Sequence, residues 1–231
     1  MRQIVLDTET TGLEAKQGHR IIEIGCLELV NRRLIEDRRF HYYLNPQRPV
    51  DEGALAVHGL SDEFLADKPL FEDVVDELLA FVEGAEVIIH NAAFDVEFLD
   101  AELARLGRAS FSQYCASVTD SLKLARQLHP GKRNSLDALC ERYQINHAQR
   151  TLHGALLDAG LLADVYLAMT RGQDSLAMSF AGHSQAQVAQ PLDTRRLKVV
   201  AASEAECVAH EALLEGLQKD NKAGALWRRG V

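Results

Sequence analysis

Three strand-like segments joined by short links open the sequence, and they restrict the fold more than any other feature. They are Gln3–Leu6, Ile21–Val30 and Leu34–Leu44, in which apolar and aromatic residues partly alternate with polar ones. Strands that follow one another this closely usually pair as antiparallel neighbours. The chain is therefore expected to begin with a three-stranded antiparallel meander.

Strands and helices alternate in the next part of the chain. Apolar residues spaced three and four apart predict a helix over residues 71–82, a strand follows at Glu86–His90, and a second helix begins after Asn91. A further strand is predicted around Tyr114–Val118. Three more helices are predicted, at Thr119–Leu128, Ser135–Tyr143 and His153–Met169. This alternation adds parallel strands with helices on both faces, so the sequence predicts a mixed α/β sandwich.

The composition changes after Arg171. Residues 172–196 are rich in Gln, Ala, Ser and Gly and have few large apolar side chains, which is typical of a flexible linker. Beyond it, Leu197–Ala201 resembles a short strand, and Ser203 and Glu206 have the spacing of a capping box before a helix that reaches about Lys219. We therefore divide the chain into a domain at 1–172, a linker at 173–196 and a terminal segment at 197–231.

Charge is unevenly distributed along the chain. The sequence has 25 Lys and Arg against 34 Asp and Glu, a net charge of −9, and residues 1–172 hold 18 basic and 27 acidic residues. Residues 173–231 hold seven of each. Such a domain repels a phosphate backbone, which disfavours a passive nucleic-acid clamp unless bound cations reverse the local field or a partner delivers the substrate.

Two further features indicate a cytoplasmic protein with reduced thiols. No apolar run approaches the roughly 18 residues of a membrane span, and the first residues lack the apolar core of a signal peptide. Cys26, Cys115, Cys140 and Cys207 are scattered without metal-ligand spacing. Neither a zinc site nor a disulfide framework is expected.

Carboxylates occur at the ends of several predicted elements. Asp7 and Glu9 end an apolar strand two residues apart, so both side chains point to one face, although the same residues could form a polar turn. Asp95 lies at the entrance to a helix just past a strand, where α/β sheets collect functional groups. Its alternative role is that of a helix N-cap.

His153 and Asp158 form a third element. Five residues turn a helix by about 500°, which leaves these side chains about 140° apart, too far to share one stripe. The spacing therefore places His153 on the approach to a helix and Asp158 in its first turns, from where both reach one cleft. A surface histidine beside a solvated aspartate is the alternative.

Taken together, four carboxylates and one histidine form the set that phosphodiester hydrolysis by two metal ions requires. Carboxylate oxygens suit Mg²⁺ or Mn²⁺, and a nearby histidine can take a proton from water. Bound cations would also remove the obstacle that the acidic charge presents to a nucleic acid.

The motifs Asp7-x-Glu9, Asp95 and His153-x4-Asp158 resemble those of the DEDD 3′-to-5′ exonucleases, in the subclass with histidine (DEDDh). The other subclass has tyrosine where Gly154 stands. Further stretches resemble the proofreading subunits of bacterial DNA polymerase III, namely Ile4–Gly12, Ile21–Gly25, Val57–Leu60, His90–Asp95, Pro130–Cys140 and Thr151–Thr170. The resemblance implies a ribonuclease-H-like fold with a five-stranded mixed sheet, and removal of mispaired 3′ ends of DNA as 5′-mononucleotides.

The resemblance also implies roles for single residues. Two divalent cations, Mg²⁺ or Mn²⁺, would be held by Asp7, Glu9, Asp95 and Asp158, with Asp7 as the bridge and His153 as the base. The pocket for the terminal nucleotide would be lined by Thr8, Thr10, His58, Asn91 and Phe94. His58 could instead be a structural turn histidine, and Lys132 and Arg133 either contact a backbone phosphate or belong to a solvated loop.

The tail carries two candidate partner sites. Gln173, Leu176 and Met178 resemble the short peptides that bind a sliding clamp, although so loose a pattern also arises by chance. Trp227 would anchor the chain on the polymerase catalytic (alpha) subunit, or else make a last hydrophobic contact within this chain. The resemblance leaves open a small accessory subunit.

Two other functions compete with DNA proofreading. The related ribonuclease T and oligoribonuclease trim RNA ends with the same core chemistry, but they lack a long linker followed by a docking segment. A non-enzymatic subunit could use an acidic cleft merely to bind metal or a partner, but all five catalytic positions are filled here. The sequence therefore favours the DNA exonuclease.

Overall fold

The computed structural model of the chain describes residues 1–147, 152–171 and 202–220, which belong to two units, Met1–Phe180 and Ala181–Val231. The first unit contains one five-stranded sheet. Its strands are β1 (Arg2–Thr10), β2 (Ile21–Val30), β3 (Arg33–Tyr43), β4 (Glu86–Ile89) and β5 (Ser117–Asp120). Their order is β3-β2-β1-β4-β5, antiparallel among the first three and parallel from β1 through β4 to β5. This arrangement confirms the predicted five-stranded mixed sheet.

Helices cover both faces of this sheet. They are α1 (Glu52–His58), α2 (Asp62–Leu65), α3 (Phe71–Val82), α4 (Ala92–Arg105), α5 (Ser121–Leu128), α6 (Leu136–Tyr143) and α7 (Ala155–Met169). Short 3₁₀ turns lie at Ala15–Gln17 and Phe111–Gln113.

The two faces of β1 belong to different cores. Ile4 and Leu6 are fully buried among apolar residues of α3 and α4, whereas Val5 is buried among those of α5, α6 and α7. Because successive side chains of a strand point to opposite faces, Asp7 and Glu9 share the α7 side with Val5. The alternation of β1 thus turns two carboxylates toward α7.

Gly25 lets α7 approach the sheet at this point. It lies on β2 directly opposite Asp7. A β-carbon at position 25 would overlap the backbone of Ala155 and Leu156 at the start of α7. The absence of a side chain on Gly25 therefore brings the beginning of α7 close to the carboxylates of β1.

Sequence analysis did not predict two of the helices. In α1 only His58 is buried, so the helix has no buried face that would produce a helical apolar pattern, and α2 is a single turn. The predicted strand around Tyr114–Val118 was also misplaced, because β5 begins at Ser117. Asp120 then caps α5 by accepting hydrogen bonds from the backbone N–H groups of Leu122 and Lys123, so this helix begins at Ser121.

The second unit contains the helix α8 (Glu204–Asp220). The backbone N–H of Ser203 donates to Glu206 Oε2 at 2.8 Å, and the Glu206 N–H donates to Ser203 Oγ at 3.3 Å. These bonds confirm the predicted capping box. The predicted linker at 173–196 and the strand Leu197–Ala201 lie outside the described residues.

All four cysteines carry free thiols. Cys26 and Cys140 are buried, and Cys207 is exposed on α8. Within the described parts of the chain, none of the helices has both the length and the apolar character that crossing a membrane requires.

Candidate active site

A cleft of about 680 Å³ lies where the parallel strands β1 and β4 end. Ligand sites of open α/β sheets usually occur at the carboxyl ends of strands. The cleft gathers all five residues of the predicted catalytic set, which are Asp7, Glu9, Asp95, His153 and Asp158. Thr8, Asn91 and Phe94, predicted to contact the terminal nucleotide, line the same cleft.

Three of these side chains lie close enough to share one cation. Donor atoms of Glu9, His153 and Asp158 all lie within 4.8 Å of one another. Glu9 and Asp158 are buried, while the side chain of His153 is 44% exposed. The burial of Asp158 argues against the alternative of a solvated aspartate.

His153 lies on the approach to α7, as its spacing from Asp158 predicted. Gly154 occupies the N-cap position of the helix, and the His153 backbone N–H donates to the carbonyl of Val57 at 3.1 Å. The imidazole Nδ1 lies 3.3 Å from Asp158 Oδ2. The start of α7 thus holds the histidine and the last carboxylate at one site.

Asp95 reaches the cleft from the other side of the sheet. It is 3% exposed in the first turn of α4, and Asn91 occupies the N-cap position, so Asp95 is not the cap. The hydroxyl of Thr8 donates a hydrogen bond of 2.8 Å to Asp95 Oδ1. The side chain of Thr8 points to the opposite face of β1 from those of Asp7 and Glu9. Its hydroxyl therefore links the strand that carries these two carboxylates to Asp95 on the other face.

Burial raises the pKa of Asp95 to about 7, although hydrogen bonds from Thr8 favour the charged form. Among the described residues, Asp95 forms no ion pair with a basic side chain. A buried carboxylate surrounded by other carboxylates is a poor arrangement for a protein without metal, and a divalent cation relieves it. The donor set is therefore suited to hard cations.

A second cavity of about 430 Å³ adjoins the cleft, and the two share Thr8, Glu9, Leu13 and Phe94. Its other walls come from the end of β1 and from α1, including Thr10, Ala54, Val57 and His58. The Thr10 hydroxyl donates to the carbonyl of Gly12 at 2.7 Å and so shapes the loop after β1. The described residues of its lining include no Lys or Arg.

His58 makes the structural turn contact considered for it and also lines the second cavity. Its Nδ1 accepts a hydrogen bond from the Leu60 N–H at 3.0 Å, which stabilises the turn after α1. This bond assigns the proton to the buried Nε2. Burial lowers the pKa of His58 and keeps the ring neutral.

The structure separates the two basic residues of the predicted loop, because Lys132 lines the cleft and Arg133 does not. It also adds Leu13, Arg126 and Asn134, which sequence analysis had not singled out. The tail residues Gln173, Leu176, Met178 and Trp227 lie outside the described residues.

Comparisons with known proteins agree with this architecture. The exonuclease family matches residues 4–166. The DNA polymerase III subunit epsilon of Salmonella typhimurium is 54% identical over 240 residues, which cover 98% of this chain and 97% of the relative. The Escherichia coli subunit of the same name is 53% identical over the same shares.

Solved structures show the same fold. Exonuclease X, in complex with 5′ overhanging duplex DNA, superposes with a TM-score of 0.58 and 26% identity, over 74% of this chain and 93% of that one. The predicted ribonuclease-H-like class is thus confirmed. The chain belongs to the exonuclease family and, within it, to the epsilon subunits of bacterial DNA polymerase III.

Proposed function

We propose that this exonuclease removes nucleotides from mispaired 3′ ends of DNA as 5′-mononucleotides, with two divalent cations held by Asp7, Glu9, Asp95 and Asp158. The observation that carries the proposal is the convergence of Glu9, His153 and Asp158 within 4.8 Å, in the cleft that also contains the other two carboxylates. Oxygen donors favour Mg²⁺ or Mn²⁺ over softer metals.

Divalent cations bound there supply Lewis-acid stabilisation for the charge that develops on the oxygens of the scissile phosphate. His153 takes the proton from the attacking water, since its half-exposed ring reaches the cleft and its contact with Asp158 orients it. Asp7, on the same face of β1 as Glu9, would hold both cations. Thr8 holds Asp95 in place through the hydroxyl bond of 2.8 Å.

The smaller cavity receives the terminal nucleoside. Ala54, Val57 and Phe94 provide apolar surface for a base, and the N–H at His58 Nε2 offers a donor for a sugar hydroxyl. Asn91 and Thr10 shape the adjoining loops. An uncharged nucleoside suits a cavity whose described walls contain neither Lys nor Arg.

Proofreading places the chain in a polymerase complex. Its relatives are named as DNA polymerase III subunits over nearly their whole length, which supports association with that polymerase in the bacterial cytoplasm. In our proposal Trp227 docks on the alpha subunit, while Gln173, Leu176 and Met178 bind the sliding clamp. A small accessory subunit is a further candidate partner.

The test is digestion of a primer with a mispaired 3′ end, followed over time with Mg²⁺, with Mn²⁺ and with EDTA. An RNA strand of the same sequence serves as the competing substrate. We expect stepwise shortening of the DNA from its 3′ end, only with a divalent cation, and slower digestion of the RNA. Digestion in EDTA, or preference for RNA, would contradict the proposal.

A further inference from the structure

Two basic residues, Arg126 and Lys132, line the cleft of the candidate active site. The acidic residues described in its lining are the four carboxylates of the catalytic set and Asp137. Arg126 is exposed on α5, and Lys132 is exposed in the turn before α6. In the described ranges, neither side chain forms a hydrogen bond or an ion pair. Lys123, which is also on α5, instead lies 3.7 Å from Asp120. The charges of Arg126 and Lys132 are thus available to an anion in the cleft.

The turn that carries Lys132 is held in shape by buried polar contacts. Asn134 is 7% exposed, and its Nδ2 donates to the carbonyls of Lys132 at 3.1 Å and His129 at 3.3 Å. Arg142 donates to Asn134 Oδ1 at 3.1 Å and to the Arg133 carbonyl at 2.8 Å. The backbone at Lys132 is therefore preorganised before any ligand binds.

Arg126 projects from an equally well-anchored segment. Its neighbour Ala125 is fully buried in the core beneath α5. At the start of the helix, buried Ser121 lies within hydrogen-bond distance of His90, with 2.9 Å between Oγ and Nδ1. The helix is thus tied to the loop that follows β4 and forms part of the cleft.

The two adjoining cavities differ in the basic residues described in their linings. The larger cleft contains Arg126 and Lys132, whereas no Lys or Arg is among the described residues that line the smaller cavity. A nucleic-acid strand with its last nucleoside in the smaller cavity has its scissile phosphate at the carboxylates. The phosphates of its upstream nucleotides must then lie outside the smaller cavity. Arg126 and Lys132 are the only Lys or Arg among the described residues of these two linings, in a chain of net charge −9.

We propose that Arg126 and Lys132 bind backbone phosphates of the substrate strand upstream of the scissile bond, and that Asn134 positions Lys132. This inference rests on the proposed function, because it requires a nucleic-acid strand in the cleft. It also distinguishes Lys132 from its neighbour Arg133, which lies outside the cleft lining. Affinity should therefore depend on substrate length, since a single nucleotide has no upstream phosphate.

The test compares two substrates in wild type, Arg126→Ala, Lys132→Ala and the double variant. One is the p-nitrophenyl ester of thymidine 5′-phosphate, and the other is an oligothymidylate of about eight nucleotides. In each single variant, kcat/KM for the oligonucleotide should fall roughly fivefold to tenfold relative to that for the ester, through KM. Arg133→Ala, the matched control, should leave this ratio unchanged.

Salt dependence provides a second readout. Each phosphate contact contributes roughly 0.7 to the slope of log affinity against log salt for a single strand, so the double variant should lose about 1.4 from the slope for the oligonucleotide. Asn134→Ala should lower the substrate ratio as Lys132→Ala does, and combining the two should add little, because both affect one contact.

The possible outcomes distinguish failure of this inference from failure of the proposed function on which it rests. If wild type hydrolyses neither substrate, the proposed function fails. If wild type hydrolyses both and the variants keep the wild-type ratio and salt slope, the phosphate contacts are wrong while the nuclease stands. An equal loss on both substrates would also overturn the inference, because it would place these residues at the catalytic centre.

Discussion

The backbone of Leu156 occupies the space that a β-carbon at Gly25 would need. Gly25 pairs with Asp7 across β1 and β2, so this contact sets the distance between the carboxylates of the sheet and the start of α7. Asp158 and the approach carrying His153 belong to that start. One missing side chain therefore controls how closely the two halves of the site meet.

Gly25→Ala should push the start of α7 away from β2. Overpacking of this kind usually destabilises a protein by roughly 1–3 kcal/mol, and a shift of about 1 Å in the site can cost about 10²-fold in rate. Thermal unfolding and primer digestion measure both effects. Gly160→Ala is the matched control on α7, because a β-carbon there would make an ordinary contact of 3.7 Å with Leu27. Equal activity in the two variants would show that the Gly25 contact does not position the site.

Thr8→Val keeps the shape of the side chain but removes the hydrogen bond to Asp95. Loss of a hydrogen bond to a buried charged group costs roughly 1.5–3 kcal/mol. We therefore expect weaker binding of Mn²⁺ and a decrease in rate of at most about tenfold. Calorimetric titration with Mn²⁺ measures the first effect. Thr8→Ser retains the hydroxyl and should restore most of the affinity; failure of this rescue would count against the contact.

The metal-free protein should lose stability as pH rises toward neutrality because of Asp95. Its pKa in the folded chain, about 7, lies above the unfolded value of roughly 3.9, so its contribution is complete below the unfolded value and is lost as pH rises to the folded one. Asp95→Asn should flatten this dependence. In EDTA at pH 7 the thermal unfolding midpoint of the variant should lie about 2–4 °C above that of the wild type. If the variant keeps the wild-type dependence of stability on pH, Asp95 is not the group responsible for it.

His153→Ala should slow hydrolysis by roughly 10²–10⁴-fold, because proton transfer from water loses its acceptor. The defect should shrink at high pH, where hydroxide partly replaces the base. Rates measured across the pH range with saturating Mg²⁺ check this expectation. A pH–rate profile parallel to that of the wild type would argue against histidine as the base.

Sequence alone predicted the elements that have long apolar periodicity. Residues Ile21–Val30 were predicted and form β2, and the helix over residues 71–82 is α3. Helix α1 could not be found in this way, because only His58 is buried along it. Periodicity detects a helix by its buried face, and α1 hardly has one.

The site was predictable where its residues form short motifs and not where it depends on three-dimensional packing. The spacing of His153 and Asp158 already implied an approach followed by a helix. In contrast, Thr8 points away from its neighbours Asp7 and Glu9, so its contact with Asp95 required α4 to be in place. Arg126 belongs to no motif, and only the position of α5 brings it to the cleft.

The most direct test of the account is the location of bound metal. Crystals grown with Mn²⁺ and thymidine 5′-phosphate, measured near the manganese absorption edge, reveal each ion by its anomalous signal. We expect two manganese ions within about 3.5–4 Å of each other, bound by Asp7, Glu9, Asp95 and Asp158 with His153 beside them. A fully occupied nucleotide site without manganese at these carboxylates would contradict the two-metal mechanism.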